Sequence, residues 1–291
     1  MTPKELSSDD SWSDDEDYYS KEKLGIPENA INLTPRPTTC HVYYLPDKDM
    51  VLKVGRFVRR QEAETLKFLK SRTSVPVPEV YDCYKKNGVT YIYMSKVEGK
   101  TLGSVWAELS EETMAKVASQ LRRYIHEWQS LTSDFYGTVI HGPCEEAFFT
   151  HNSMRSPDKI NPKYGPYSSR EEYNAGLLEA LANSRPIGIR DKRQELAEEK
   201  IRALEGEQKV FSHGDLHMDN IMVNDSIDIT GIIDWDTACF SIPEREFFEM
   251  RNRAITPSWI KAIESIFSDD EKENYDTLDA INAELVLYSG I

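Results

Sequence analysis

Cysteine is scarce in this chain: 4 among 291 residues. Cys40, Cys83, Cys144 and Cys239 are widely spaced and form no C-x-x-C pair. That argues against a disulfide scaffold or a structural zinc site and favours a reducing, cytoplasmic compartment. Basic residues are also in deficit. Lys and Arg number 35 against 50 Asp and Glu, for a formal charge of -15 and a pI near 4.9. The chain therefore lacks the basic footprint that nucleic acid or an anionic membrane surface requires. No apolar run approaches the roughly 18 residues of a membrane span. The opening MTPKELSSDDSW has neither the basic start nor the apolar core of a secretory signal. Internal repeats are absent. What is present is polar but foldable, with 39% hydrophobic residues and a mean hydropathy of -0.58. The length suits two lobes at roughly 100–200 residues per domain.

Three regions follow from the pattern. Residues 1–24 read as a disordered acidic tail, because Asp9, Asp10, Asp14, Asp15, Glu16 and Asp17 repel one another and bury little. Ser11 and Ser13 precede acids and are candidate phosphorylation sites; a plain solubilising tail is the simpler reading. Residues 25–97 are strand-rich. HVYYL (41–45) and MVLKV (50–54) flank a turn, and EVYDCY (79–84) and VTYIYMS (89–95) are joined through Asn87-Gly88, a strong hairpin signal. Between the pairs, Val58, Leu66 and Leu69 recur at helical spacing, and Pro76 and Pro78 end that helix. Residues 98–291 read as mostly helical, with helices near 114–131, 170–183 and 191–205 and a long loop over 133–167. The fold class is α+β: a small antiparallel-sheet lobe followed by a larger helical one.

The chemistry concentrates in KVFSHGDLHMDNIMVNDSIDITGIIDWDTA (209–238). Short apolar strands end on acids and amides, so that Asp215, Asn220 and Asp234 can converge. A carboxylate with an amide is a hard-oxygen set suited to Mg²⁺, and a second carboxylate can position a hydroxyl nucleophile. Upstream, Lys53 lies inside the apolar strand VLKV, where a buried ammonium needs a partner. Glu62 falls on the apolar stripe of the following helix and Glu64 falls off it, which favours Glu62.

HGDLHMDN followed by IIDWD resembles the aminoglycoside phosphotransferase and choline kinase superfamily, which has a two-lobed protein-kinase-like fold. VLKV, QEAETLKFL, SVPVPEVY, YIYMSKVEGKTL and SIPEREFFEMR are similar to fungal members in order and spacing, so the resemblance covers about Val51 to Arg251. It implies transfer of the γ-phosphoryl group of ATP to a small-molecule hydroxyl. Asp215 would be the catalytic base, and Asn220 and Asp234 the Mg²⁺ ligands. Lys53 would contact the α- and β-phosphates, held by Glu62. Met94, Ser95, Lys96 and Val97 would form the adenine-binding hinge, and His213 would brace the catalytic loop. The role of Asp236 stays open. The sequence departs from the pattern in having no glycine-rich phosphate loop before Lys53.

Rival readings have less behind them. His213, Asp215 and His217 spell H-x-D-x-H, an element of a two-histidine iron site, but no further His or Cys cluster accompanies it. IIDWDTA resembles a D-x-D phosphatase nucleophile, yet too little chain follows it. The activation-loop and A-P-E signals of a protein kinase are absent after Asp234. The other reading is a pseudokinase, a binding module on the same fold. For the acceptor, Glu244, Glu246 and Glu249 suggest either an acidic cleft that selects a cation or a solvated helix face. In the second case Phe148, Phe149, Tyr164 and Tyr167 would set specificity. A monomer or weak dimer is expected, without nucleic-acid or membrane partners.

Overall fold

The computed structural model describes residues 20–34, 40–150 and 162–288. Of the tail expected over residues 1–24, residues 1–19 lie outside the described residues. Its end, Lys21–Leu24, is a helical turn (α1) capped by Ser20 and closed by Gly25 at φ 67°. The described residues form two compact units: the first runs to Val58 and includes Tyr81–Lys96, and the second holds Arg59–Val80 and everything from Val97 onward.

The first unit is built on an antiparallel sheet of strands β1 (Ile31–Asn32), β2 (Cys40–Leu45), β3 (Met50–Gly55), β4 (Val80–Lys86) and β5 (Val89–Ser95), in the order β1-β2-β3-β5-β4. β-Branched and aromatic residues at alternate positions suit a half-buried pleat. Asn87 and Gly88 both take positive φ, 52° and 79°, as the tight β4–β5 turn requires. Leu24, Ile26, Tyr43, Leu52, Val54, Val89 and Tyr91 form this unit's core. α1 therefore contributes Leu24 to the fold.

The second unit begins with a helix that the sequence had assigned to the sheet lobe, α2 (Arg60–Arg72). Its packing explains the difference. Phe68 lies 5.6 Å from Phe211 and 5.9 Å from Phe240 between ring centroids. Beyond α2, the Ile232 amide donates to the Pro76 carbonyl at 2.8 Å. The helices α3 (Glu111–Gln129), α4 (Arg170–Asn183) and α5 (Lys192–Ala203) lie within a few residues of the helices expected. Each has a side-chain N-cap, from Ser110, Ser169 and Asp191 respectively. After β7 (Val210–Ser212), β8 (Ile221–Val223), β9 (Ile229–Ile232) and β10 (Cys239–Ser241) come α6 (Arg245–Arg253), α7 (Pro257–Ile266), α8 (Asp269–Lys272) and α9 (Tyr275–Val286). β8 lies between β6 (Lys100–Thr101) and β9, and β10 pairs with β7. These two small antiparallel sheets carry the loops that matter below.

Candidate active site

The polar knot after β7 is fixed by His213. Its Nε2 lies 3.0 Å from the Ile233 carbonyl, and its Nδ1 accepts the Asp215 amide at 3.2 Å. Donating from Nε2 and accepting at Nδ1 describes a neutral imidazole. Complete burial agrees with this, since it pushes the His213 pKa down to about 4. The ring thus ties the Asp215 loop to the end of β9, next to Asp234. Both ring nitrogens are occupied, so the iron-site reading of H-x-D-x-H fails. Among the described residues no group of three or more His, Cys, Asp or Glu side chains could hold a metal.

Asn220 completes the loop. Its Nδ2 donates to the Asp215 carbonyl at 2.8 Å, and its own carbonyl accepts the Ile233 amide at 3.0 Å. With the amide nitrogen engaged, Oδ1 is the atom of Asn220 suited to a cation. Asp234 stands two residues past β9 with φ 61°, a left-handed conformation uncommon for a residue with a side chain. The second unit thus brings Asp215, Asn220 and Asp234 together. An amide oxygen and a carboxylate fit Mg²⁺, which keeps much of its shell for water and phosphate.

Beneath the loop lies a set of buried charges that sequence reasoning missed. Glu246 Oε2 accepts from Ser212 Oγ at 2.9 Å, from the His213 amide at 2.6 Å and from Trp128 Nε1 at 3.3 Å. Arg245 donates to the Thr237 carbonyl at 2.9 Å and to Cys239 Sγ at 3.0 Å, with Glu146 Oε2 3.5 Å away. Gly214, at φ 74°, leaves room for that guanidinium: a Cβ there would meet Arg245 Nη2 at 1.8 Å. The only signal in the sequence was the run of charges in SIPEREFFEMR, which reads equally well as a surface.

Asp236 has a defined partner. Arg59, just before α2, donates from Nε to Oδ1 at 2.9 Å and from Nη2 to Oδ2 at 2.6 Å. Arg59 also pairs with Glu145 through Nη1.

Lys53, Met94 and Ser95 belong to the first unit. Lys53 is at the centre of the sheet, opposite Val42 on one side and Ile92 on the other, and is 9% exposed. It is therefore not an edge-strand lysine. Met94 and Ser95 end β5 opposite Val51 and Met50, and the chain passes into the second unit at Val97. Val97 packs on Gly231, where an added Cβ would lie 2.4 Å from its Cγ1. In the second unit, Glu62 is 2% exposed in the first turn of α2. Glu64 is on the outer face, paired with Lys67 at 3.1 Å.

Asp215 carries one further contact: Arg253 Nη1, at the end of α6, lies 2.5 Å from Oδ1. Burial pushes the Asp215 pKa up, while Arg253 and His217 pull it back. Beside this pair is a cavity of about 350 Å³, lined by His217, Met218, Asp219, Met250, Arg253 and Trp259 among others. The acids thought to line an acceptor cleft are elsewhere. Glu246 and Glu249 are fully buried, and Glu244 accepts from Asn274 at 2.7 Å. Glu246 and Glu249 make neither an acidic cleft nor a solvated face, because α6 turns both inward, Glu246 onto Ser212 and the His213 amide and Glu249 to within 3.6 Å of Arg253. Phe148, Phe149 and Tyr164 are likewise core residues, packed with Tyr173, and Tyr167 lies against that cluster. Residues 151–161 of the expected loop lie outside the described residues.

Comparison with known proteins bears on the family and the fold. The phosphotransferase enzyme family profile matches residues 37–281. A thermostable mutant of aminoglycoside phosphotransferase APH(4)-Ia, solved with AMP-PNP and hygromycin B, superposes with a TM-score of 0.58 at 16% identity, covering 96% of this chain and 90% of that one. A type I macrolide 2'-phosphotransferase gives 0.54 at 15% identity over 97% and 94%. A choline/ethanolamine kinase family protein from Mesorhizobium loti gives 0.51 at 12% identity over 92% and 80%. A subtelomeric hrmA-associated cluster protein of Aspergillus fumigatus is 29% identical over 121 residues, which is 40% of this chain but 23% of that relative's length.

Proposed function

The chain belongs to the phosphotransferase enzyme family, residues 37–281 matching its profile, and from that premise we propose that it transfers the γ-phosphoryl group of ATP to a hydroxyl of a small molecule. The observation that carries this reading is the Asp215 loop, with Asn220 bonded to the Asp215 carbonyl and His213 tying the loop beside Asp234. In the proposed reaction the acceptor oxygen bonds to Pγ as the Pγ–O bond to ADP breaks, and the hydroxyl proton passes to Asp215. Burial raises the Asp215 pKa and so favours its taking that proton. Asn220 and Asp234 would hold Mg²⁺, which when bound supplies charge neutralisation on the phosphates. Lys53 is assigned to the α- and β-phosphates and Glu62 to holding Lys53, both being buried charges. The backbone of Met94, Ser95, Lys96 and Val97 is assigned to the adenine.

The acceptor would enter the cavity beside Asp215, displacing Arg253 from the carboxylate as its hydroxyl arrives. That ion pair also favours a second reading, a binding module in which the base stays capped. One experiment separates them: a nucleotide-consumption screen against amino alcohols, sugars and hydroxylated metabolites, with Asp215→Asn in parallel. Turnover should fall by about 10²–10⁴-fold in the variant, with Mg·ATP binding unchanged. Undiminished turnover would remove Asp215 from the role of base. Normal Mg·ATP binding without consumption of nucleotide for any acceptor would favour the binding module. Whether the acceptor is cationic is read from the same screen, by comparing amines with their neutral isosteres.

A further inference from the structure

We infer that Arg59 and Asp236 form a clamp that positions helix α2 against the turn bearing Asp234, so that Asp236 serves the site through Arg59 and not as a further metal ligand. This rests on the phosphotransferase reading above. An acid two residues from a metal-binding aspartate invites assignment to the metal, and the geometry points elsewhere. Both Asp236 carboxylate oxygens accept from the Arg59 guanidinium, at 2.9 and 2.6 Å. Arg59 Nη2 also reaches the Asp236 carbonyl at 3.0 Å. The planar fork of an arginine matches a carboxylate in this way, and an ammonium cannot.

Two more connections lead from the clamp into the site. The Arg59 carbonyl accepts the Glu62 amide at 3.1 Å, so the residue that grips Asp236 also sets the first turn of α2 and the place of Glu62. Gln61 Nε2 lies 3.4 Å from the Asp236 carbonyl and 3.3 Å from that of Ala238, which pins α2 to the same turn. Asp234 holds its left-handed φ of 61° two residues before Asp236, a conformation that persists when its surroundings fix it. The pair is no ordinary surface salt bridge. It is bidentate and part-buried, and its third arm ends on Glu145. Phosphoryl transfer depends on positioning, and loss of a group that orients metal ligands typically costs about 10- to 100-fold in metal affinity or activity.

The test is binding of a fluorescent ATP analogue to the full chain during Mg²⁺ titration. Wild type, Arg59→Ala, Asp236→Asn, the double variant and Arg59→Lys are compared, with circular dichroism and melting temperature recorded for each. Arg59→Ala and Asp236→Asn should each weaken Mg²⁺-dependent nucleotide binding by about 10- to 100-fold. The double variant should lose no more than either single one, and Arg59→Lys should fall between wild type and Arg59→Ala. If Asp236→Asn does not fold, Arg59→Lys and Arg59→Gln carry the test, with weakened Mg²⁺ dependence expected at an unchanged melting temperature. A loss of Mg²⁺ dependence in Asp236→Asn together with wild-type binding in Arg59→Ala or Arg59→Gln would overturn the clamp and make Asp236 a ligand. Additive losses would overturn it as well. A wild-type chain that binds no Mg·ATP would instead bring down the phosphotransferase reading, and the clamp's role with it.

Discussion

Glu249 shows how a residue that looks like surface charge can govern stability. It lies on the buried side of α6, 3.6 Å from Arg253, and burial pushes its pKa up to about 7. The folded protein therefore holds this proton more tightly than the unfolded chain does. The stability it contributes is present below its ordinary value of 4.5 and is lost as pH rises through about 7. His213 works in the opposite sense. Its pKa is pushed down to about 4 from 6.5, so its contribution is present above 6.5 and is lost as pH falls toward 4. Between these limits the two trends offset one another. Glu249→Gln removes one of them. The melting temperature of that variant should climb more steeply than that of wild type between about pH 4.5 and 7. Melting curves across this range check it; parallel curves for variant and wild type would refute the assignment.

At the scale of elements, α3 reaches the Asp215 loop through its last turn. Trp128 reads from the sequence as a packing residue, one of a stripe with Val117, Leu121 and Ile125, and all four are buried. The structure gives it a second contact, since Nε1 donates to Glu246, which in turn holds the His213 amide. Its ring also stands edge-on to Trp235 at 5.2 Å. Two substitutions separate packing from hydrogen bonding. Trp128→Ala should cost about 3–5 kcal/mol, as large-to-small changes in a core do. Trp128→Phe keeps a ring and should cost about 1 kcal/mol through the lost hydrogen bond. Denaturant melts give both numbers. Equal costs would mean that the ring contributes little and the hydrogen bond dominates.

For the molecule as a whole, the start of the described chain separates what composition suggests from what packing requires. Removing residues 1–19 should leave melting temperature and nucleotide binding unchanged, as the acidic, apolar-poor composition of that stretch predicts. Extending the cut through Ile26 removes Leu24 and Ile26, both buried in the core of the first unit. That should cost several kcal/mol, at about 1.5–3 kcal/mol for each fully buried side chain. Thermal melting of the two truncations decides it, and equal melting temperatures would show that α1 adds nothing. The boundary is invisible in the sequence because Lys21–Leu24 continues the charged run. The central strand β3, the Asn87-Gly88 turn, α3 and the HGDLHMDN loop were legible, because periodicity, turn chemistry and capping act between residues close in the chain. The same holds for the burial of Glu62 and the outward position of Glu64, a matter of helical phase. The grouping of α2 with the second unit was not legible, and neither was the inward turn of Glu246 and Glu249. Nor were the core positions of Phe148 and Tyr164, or the Arg59–Asp236 pair, whose members stand 177 residues apart. The sequence by itself determined the elements and which acids and amides the loop carries. Only the tertiary structure decided which charges face solvent and which face each other, because burial and pairing depend on distant segments that no local pattern records.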